Sequence, residues 1–472
     1  APQYFWQNYP KQIEVTKDNI TISLMPTLQR GQYSGKARNQ DEETRLFFYL
    51  QDDGYKLRAG MNKRHQFLFA FGENAENIPI EYVDTSLRAS VRREQYALSR
   101  AFGPMGVEPG SISDLFAERL DFHLGLFTNT LESQRAYGMM NFGDWWGERK
   151  INWGNLEYDL AQGLFLSYIH TGNELAFILG ERAALHQMDV DVARQHWDPD
   201  EVGFQHEHCV AHTGGYWKKK TFGGRGIENT ISNLGHVFNT GLVTYYHMTG
   251  DPMGLETAIR VADYYIRRKA GDYSSLNYFN NWNFDAGRFG GWPLIMFVTA
   301  YQGTGDPYYL NAARLIMERV YENEAAGGSW LNVNKSRQPV EYVLSSNMMQ
   351  AGVQIEGILQ YYDETGDQRI PPMIVKAIKY IVANGAEKNS YMLRETTGPN
   401  VNQPYWSEAM DVGLAAAYEF SGDEEIKKAL FGNFMYRISQ SKFGSGGKSL
   451  GQMLRFEPKA LKAMDEIAED FK

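Results

Sequence analysis

The chain has 472 residues, 43% of them hydrophobic, and a formal net charge of -10, with an isoelectric point of about 5.6. That length and apolar content allow two or three domains or one large toroid or barrel, and they exclude a disordered chain. The acidic balance argues against nucleic acid as the main partner, since phosphate binding needs a basic surface, and no apolar run approaches the roughly 18 residues that span a bilayer.

One cysteine, Cys209, rules out an internal disulfide. Ala1 opens the chain without a methionine, which fits removal of a signal peptide or of a longer precursor and an extracellular or periplasmic location. Aromatic residues make up 14% of the chain, with 29 tyrosines and 10 tryptophans. Such side chains pair an apolar face with a polar edge. They suit sugar rings, which present C–H faces to stack on and hydroxyls to bond, although a large aromatic core has the same composition.

Residues 1–95 read as a β-rich segment. Short β-branched runs lie at 12–15 and 20–24, and residues 57–71 (LRAGMNKRHQFLFAF) suggest a strand, a turn and a second strand. Strands this short do not make an independent sheet. They are expected to pack on the rest of the molecule, on a β-rich partner chain or on another copy, because open strand edges favour pairing.

From about Leu115 the apolar period becomes helical, and residues 96–472 read as one helical domain. A helix, a Thr/Ser-Gly-Asp/Asn turn and a second helix recur, with turn glycines at Gly172, Gly250, Gly305, Gly366 and Gly422. Successive glycines lie 78, 55, 61 and 56 residues apart. Glycine ends the first helix of each pair, and Asp or Asn caps the second. Such hairpins bury their apolar faces on their neighbours. The fold expected is mainly α: an (α/α) toroid of helical hairpins with a small N-terminal β-rich segment. The turns are short and the connections between hairpins long, so the long connections should share one end of the toroid. They are rich in Trp, Tyr, Asn, His and Arg, as befits loops that carry function on a rigid scaffold.

The richest connection is GFQHEHCVAHTGGYWKKKTFGGRGIENTISNLGHVFN, from Gly203 to Asn239. His206, His208 and His212 have a spacing compatible with a metal, but no HExxH or paired-cysteine motif accompanies them. We expect no metal and no cofactor. His208 and His212 are candidate bases, Tyr216 a candidate proton donor, and Arg225, set among glycines, a candidate carboxylate clamp. Asn233 and His236 stand three residues apart, as on one face of a helix beginning there. The other connections offer Trp145, Trp146, Tyr278, Trp282, Arg288 and Tyr405 as substrate contacts. The carboxylates to consider are Asp144, Glu148, Glu157, Asp159, Asp285 and Glu408.

Several stretches resemble the exo-acting rhamnogalacturonan lyase family. They are FGDWWGERKINWGNLEYD, IHTGNE, AALHQMDVDV, the HEHC and AHTGGY pieces of the histidine loop, LGHVFNTGLVTYYHMTGD, FWQNYPKQIEV and LRAGMNKRHQFLFAF. The resemblance is most specific between residues 142 and 251 and weaker after 306. It implies β-elimination on an acidic pectic polysaccharide and a toroid beside β domains. Members carry a substantial β domain ahead of the FWQ-type segment, so the resemblance makes this chain a processed fragment or a shortened relative.

The reading that follows is a lyase on a uronate-containing polysaccharide or oligosaccharide. Arg225 with Asn233 would neutralise the carboxylate, His208 or His212 would take the proton, and Tyr216 would protonate the leaving oxygen. The alternatives are a hydrolase using two of Asp144, Glu148, Asp285 and Glu408, and a non-catalytic glycan-binding or surface-assembly protein.

Overall fold

The computed structural model describes residues 4–33, 35–36, 54–55, 57, 59–79, 83, 86–147, 153–154, 156–206, 221–222, 225–226, 234–267, 287–324, 328, 330, 332–335, 342–345, 347–386, 407–439 and 446–471; for the strand residues between 221 and 226 and between 332 and 345 it describes the backbone alone. Near the N-terminus, β1 (Gln12–Val15) and β2 (Ile20–Ser23) form an antiparallel hairpin with Gln12 opposite Ser23. The strand pair expected over 57–71 is not formed: the described residues there hold a turn at 59–60 and a single bridge at Phe67. Phe69 and Phe71 are exposed, so the alternation that suggested a strand buries no face.

Helix α1 (Arg93–Ser99) and the long α2 (Ser111–Gln134) lead into the hairpins. These are α3 (Leu160–Thr171) with α4 (Glu174–His186), α5 (Thr240–Thr249) with α6 (Pro252–Tyr265), α7 (Arg288–Thr304) with α8 (Pro307–Glu322), α9 (Met348–Thr365) with α10 (Ile370–Gly385), and α11 (Met410–Ser421) with α12 (Glu424–Ile438). Helices α13 (Gly447–Phe456) and α14 (Leu461–Ile467) follow. Two further hairpins, Thr221–Phe222 with Arg225–Gly226 (β3, β4) and Asn332–Lys335 with Tyr342–Ser345 (β5, β6), lie in the connections.

Helices α3, α5, α7, α9, α11 and α13 each touch the next, and α13 returns to α3. The toroid is therefore closed. Helices α4, α6, α8, α10 and α12 lie outside their partners, and α2 with α14 completes the outer layer. The inner helices face neighbours on nearly every side, which explains why α7 is continuously buried from Gly290 to Ala300.

The turn chemistry read from the sequence is present. Gly172, Gly250, Gly305, Gly366 and Gly422 all adopt left-handed φ between 62° and 74°, a conformation that costs a Cβ-bearing residue about 1–2 kcal/mol. Asn173, Asp251, Asp306 and Asp423 accept backbone N–H bonds from the helices they open. The turns close the C-terminal ends of the inner helices, so the inner N-termini all point to the opposite, loop-bearing end.

The N-terminal segment is pinned to the outside of this ring. Helix α4 ends in a π-helical turn, Gln187–Asp191. The carboxylate of Asp189 there accepts from Asn62 Nδ2 at 3.3 Å, Arg64 N at 3.2 Å and Arg64 Nε at 3.1 Å. Tyr9, Leu28, Tyr33, Tyr55 and Met61 pack on Met139, Met140 and Val190 beside it. Among the described residues no helix is long and apolar enough to cross a membrane.

The outer layer closes through one side chain. Asp465 of α14 accepts from the amides of Gly110, Ile112 and Ser113 at 3.1, 2.8 and 3.1 Å and from Ser113 Oγ at 2.5 Å. It caps α2 from a residue more than 350 positions away. Asp465→Ala should lower unfolding stability by about 1–3 kcal/mol, measured by denaturant unfolding; a change within error would show that the cap is not what fastens α2 to α14.

Candidate functional site

The loop-bearing end gathers the first residues of the inner helices. Ahead of α3 the chain is strained: Leu156, Tyr158 and Asp159 are non-glycine residues with φ of 55°, 69° and 55°. Each such residue costs about 1–3 kcal/mol, and strain of this kind collects at functional sites. The carboxylate of Asp159 holds the segment in place. It accepts from Gln162 N at 3.4 Å to cap α3, and from Thr240 N at 3.0 Å and Gly241 N at 3.2 Å at the start of α5. It also accepts from Arg455 Nη1 at 3.2 Å.

This backbone presents Glu157 to a group of nitrogen-bearing side chains. His236 Nε2 lies 3.1 Å from Glu157 Oε1, and Lys448 Nζ lies 3.0 Å from Oε2. Arg288 Nη1 is 3.2 Å from the same His236 nitrogen. Lys448 also sits 5.7 Å from the centre of the Tyr158 ring. Burial, reinforced by Glu157, pushes the Tyr158 hydroxyl up to about 12, against the smaller opposing pull of Lys448 and Arg288. Tyr158 therefore stays protonated at neutral pH. One carboxylate, one imidazole, one guanidinium, one ammonium and one phenol thus meet at the mouth of the ring, from α3, α5, α7 and α13.

Deeper on the axis, Arg455 bridges Asp159 and Glu356, with Nη2 2.9 Å from Glu356 Oε1. Lys459 also bonds Glu356. Burial works against the charge on Glu356, but Arg455 and Lys459 outweigh it and hold its carboxyl below the ordinary value. A second buried group lies toward α11, where Arg437 is shared by three carboxylates. It bonds Asp411 closely, Glu457 Oε1 at 2.9 Å, and lies 3.9 Å from Glu408 Oε2. Burial raises the carboxyl of Glu408, and burial pushes that of Glu457 up to about 7. One guanidinium cannot balance three buried carboxylates, so this group retains a proton.

Of the residues picked out in the sequence, the structure brings together His236, Arg288 and Glu157. Asp159 stands beside them in a positioning role. His236 is not on a helix with Asn233: it ends the 3-10 turn Leu234–His236, and α5 begins only at Thr240. Trp145 and Trp146 are buried and not offered to a ligand. Trp145 leaves no room for a Cβ on Gly154 or Gly447, and Trp146 stacks edge-on with Trp153 at 5.4 Å. Asp144 is consumed in the interior, accepting from Leu156 N at 3.2 Å near the buried His186. His206 is buried, with its ring 4.5 Å from that of Phe204 and its amide on Asp191 O. His208, His212, Tyr216, Asn233, Tyr278, Trp282, Tyr405, Glu148 and Asp285 lie outside the described residues, and Arg225 is described only as β4 backbone paired with Phe222.

Sequence reading missed Lys448 and Tyr158. Lys448 follows Gly446-Gly447 at the opening of α13, a helix-start signal with a cation in the first turn. Among the described residues no group of three or more His, Cys, Asp or Glu could hold a metal.

A family model described as β-L-arabinofuranosidase, GH127 catalytic domain, matches residues 215–449, just short of half of the chain. That stretch contains His236, Arg288, Glu408 and Lys448. No curated protein matches the chain. Among solved structures, cellobiose 2-epimerase from Bacillus thermoamylovorans is 13% identical, with 72% of this chain and 99% of that one covered and a TM-score of 0.49. A glycosyl hydrolase of family 88 from Bacteroides vulgatus is 12% identical, with 74% and 99% covered and a TM-score of 0.47. A family 76 α-1,6-mannanase of Salegentibacter is 12% identical, with 73% and 98% covered and a TM-score of 0.45.

These findings overturn the resemblance to rhamnogalacturonan lyases, because the matched family is one of glycoside hydrolases. The stretches that carried the resemblance are largely structural. The FGDWW and INWGN pieces supply Trp145, Trp146 and Trp153 to the interior, and the HTGN and MTGD pieces are helix-ending turns with their caps. They specify a toroid and leave its chemistry open.

The Arg437 group makes stability depend on pH. The folded-state value of Glu457, about 7, lies above its ordinary value of 4.5. Its contribution is therefore fully present below about 4.5 and is lost as pH rises through about 7. The melting temperature should fall across that window, and Glu457→Gln, which is neutral at every pH, should flatten the fall. Parallel profiles for the two proteins would place the shared proton elsewhere.

Proposed function

We propose that the chain is a glycoside hydrolase whose active site is the loop-bearing mouth of the toroid. The observation that carries this reading is Glu157, a buried carboxylate on strained backbone that His236 and Lys448 orient at that mouth. The match to a hydrolase family over 215–449 supports it. Glycosidic hydrolysis needs one carboxylic acid to protonate the leaving oxygen and one carboxylate to act as nucleophile or to activate water. Glu157, ion-paired to Lys448, suits the second role. Glu408 suits the first: burial raises its carboxyl, and its Oε2 has no hydrogen-bond partner among the described residues. It precedes α11, at the same end as Glu157 and on the far side of Lys448 around the ring. The protonated Tyr158 supplies a further donor. Arg288 is the group best suited to a uronate carboxylate or a ring hydroxyl.

The substrate class that fits is a glycan, with an arabinofuranosyl linkage, named by the matched family, as the first bond to test. A polymeric glycan does not cross a membrane, so an enzyme that takes one would work outside the cytoplasm.

The test is a panel of arabinofuranosides and uronate-containing oligosaccharides, with mass analysis of the products. Products should contain one added water and no ultraviolet-absorbing double bond. Glu157→Gln and Glu408→Gln should each lower kcat by about 10²-fold or more while changing KM little. Full turnover by both variants on a cleaved substrate, or products lacking added water, would refute the assignment.

A further inference from the structure

His186, the last residue of α4, is buried and has acceptors at both ring nitrogens. Its Nδ1 lies 3.1 Å from the carbonyl oxygen of Phe142, which can only accept, so Nδ1 carries a proton. Its Nε2 faces two carboxylates, Asp191 Oδ1 at 3.3 Å and Asp144 Oδ2 at 4.0 Å. A bare lone pair there would repel both, so Nε2 is protonated as well. The ring is therefore an imidazolium set between two carboxylates that are themselves buried.

The other charges around it leave that arrangement intact. Lys63, from the N-terminal segment, opposes the imidazolium but is drawn toward Asp189 at 3.7 Å. Arg182, one turn earlier on α4, lays its guanidinium over the rings of Tyr4 and Phe142 at 4.9 and 5.3 Å. Burial works against the charge on His186, but Asp191 and then Asp144 outweigh it.

This buried group connects to the mouth of the ring. The turn that carries Asp144 lies close on α4 because of Gly143, whose φ is 104°: a Cβ there would stand 2.3 Å from Arg182 O and 2.7 Å from His186 Cβ. From that turn Asp144 Oδ1 accepts from Leu156 N at 3.2 Å. Leu156 is the first of the left-handed residues and directly precedes Glu157. If His186 lost its proton, two buried carboxylates would face a neutral ring, and one of them would have to take up a proton or turn away. Either change weakens the hold of Asp144 on Leu156, since an ionised acceptor makes the stronger bond.

We propose that His186 is a positioning residue: its imidazolium, held by Asp191, keeps Asp144 ionised and turned to the Leu156 amide, and so fixes the backbone that presents Glu157. The effect on turnover rests on the hydrolase reading of Glu157; the effect on the backbone does not. The contribution of His186 is fully present below its ordinary value of 6.5 and is lost as pH rises through its higher folded-state value.

The test is hydrogen exchange of the full chain, read by mass spectrometry on the peptide around Leu156 and corrected for intrinsic exchange. It is run at about pH 6 and about pH 8, with kcat on a cleaved glycoside measured alongside. The wild-type amide should be protected at both. Asp191→Asn removes the carboxylate nearest the imidazolium. It should approach the wild type at the lower pH and lose protection at the higher, where kcat should fall by about 10²-fold relative to wild type with KM little changed. His186→Gln, neutral at every pH, should show the loss at both. A side chain that only fills space would give a loss independent of pH. Melting curves check folding, and Asp191→Asn carries the test if His186→Gln does not fold. Unchanged protection in both variants, or a loss in Asp191→Asn that does not vary with pH, would overturn the proposal. So would full kcat in a His186→Gln protein that has lost protection, if Glu157→Gln is impaired. If Glu157→Gln keeps full turnover, the hydrolase reading falls and the exchange data alone decide the role of His186.

Discussion

The buried contact of Arg455 with Asp159 and Glu356 is the constraint on which the rest of the ring depends. It joins α13, α3 and α9 across the lumen, and through Asp159 it reaches the first amides of α5. Taking these charges out of water costs several kcal/mol per ion, and that cost is recovered only if every lone pair finds a donor. Asp159 does so with three backbone amides and a guanidinium, and Glu356 with Arg455, Lys459 and Gln360. The arrangement gives register as well as cohesion, since these partners meet only when the three helices stand at one height.

That register is what makes the strained segment at 156–159 tenable. Three left-handed residues in four would not persist in an isolated loop. Here Asp159 is fixed from α5 and α13, Trp145 and Trp153 fill the space behind, and Tyr158 packs at 6.2 Å from Trp292. The strain is localised where Glu157 must face His236 and Lys448. In the hydrolysis proposed, rigid support of this kind would hold these groups in place without loss of entropy at the moment of reaction.

The two ends of the ring differ in character for one topological reason. Five of the six inner helices, α3, α5, α7, α9 and α11, start after a long connection and end in a short glycine turn. The long connections bring His236, Arg288 and Lys448 to one end, next to helix N-termini whose partial positive charge favours anionic groups. The turn end offers helix C-termini. An anionic or carboxylate-centred chemistry at the loop-bearing end is the arrangement that this polarity favours.

The closed toroid was legible in the sequence because its signals are local. A glycine in left-handed conformation after Thr or Ser, followed by Asp or Asn, ends one helix and begins the next through bonds within three residues. The candidate site was legible only in part. His236, Arg288, Glu157 and Glu408 were picked out by residue type and by their place at the starts of inner helices. The roles of Trp145 and Trp146 were not, because burial depends on what packs behind a residue, and Gly154 and Gly447 are distant in sequence or silent in type. The partners of Glu157 come from residues 79 and 291 positions away, and no spacing rule connects them. Sequence alone thus determined the hairpins, their caps and the common direction of their long connections, since each follows from backbone and side-chain preferences a few residues apart. Tertiary structure alone decided which charges meet and which aromatic residues are walls, because these are set by ring closure, which brings the last helix against the first.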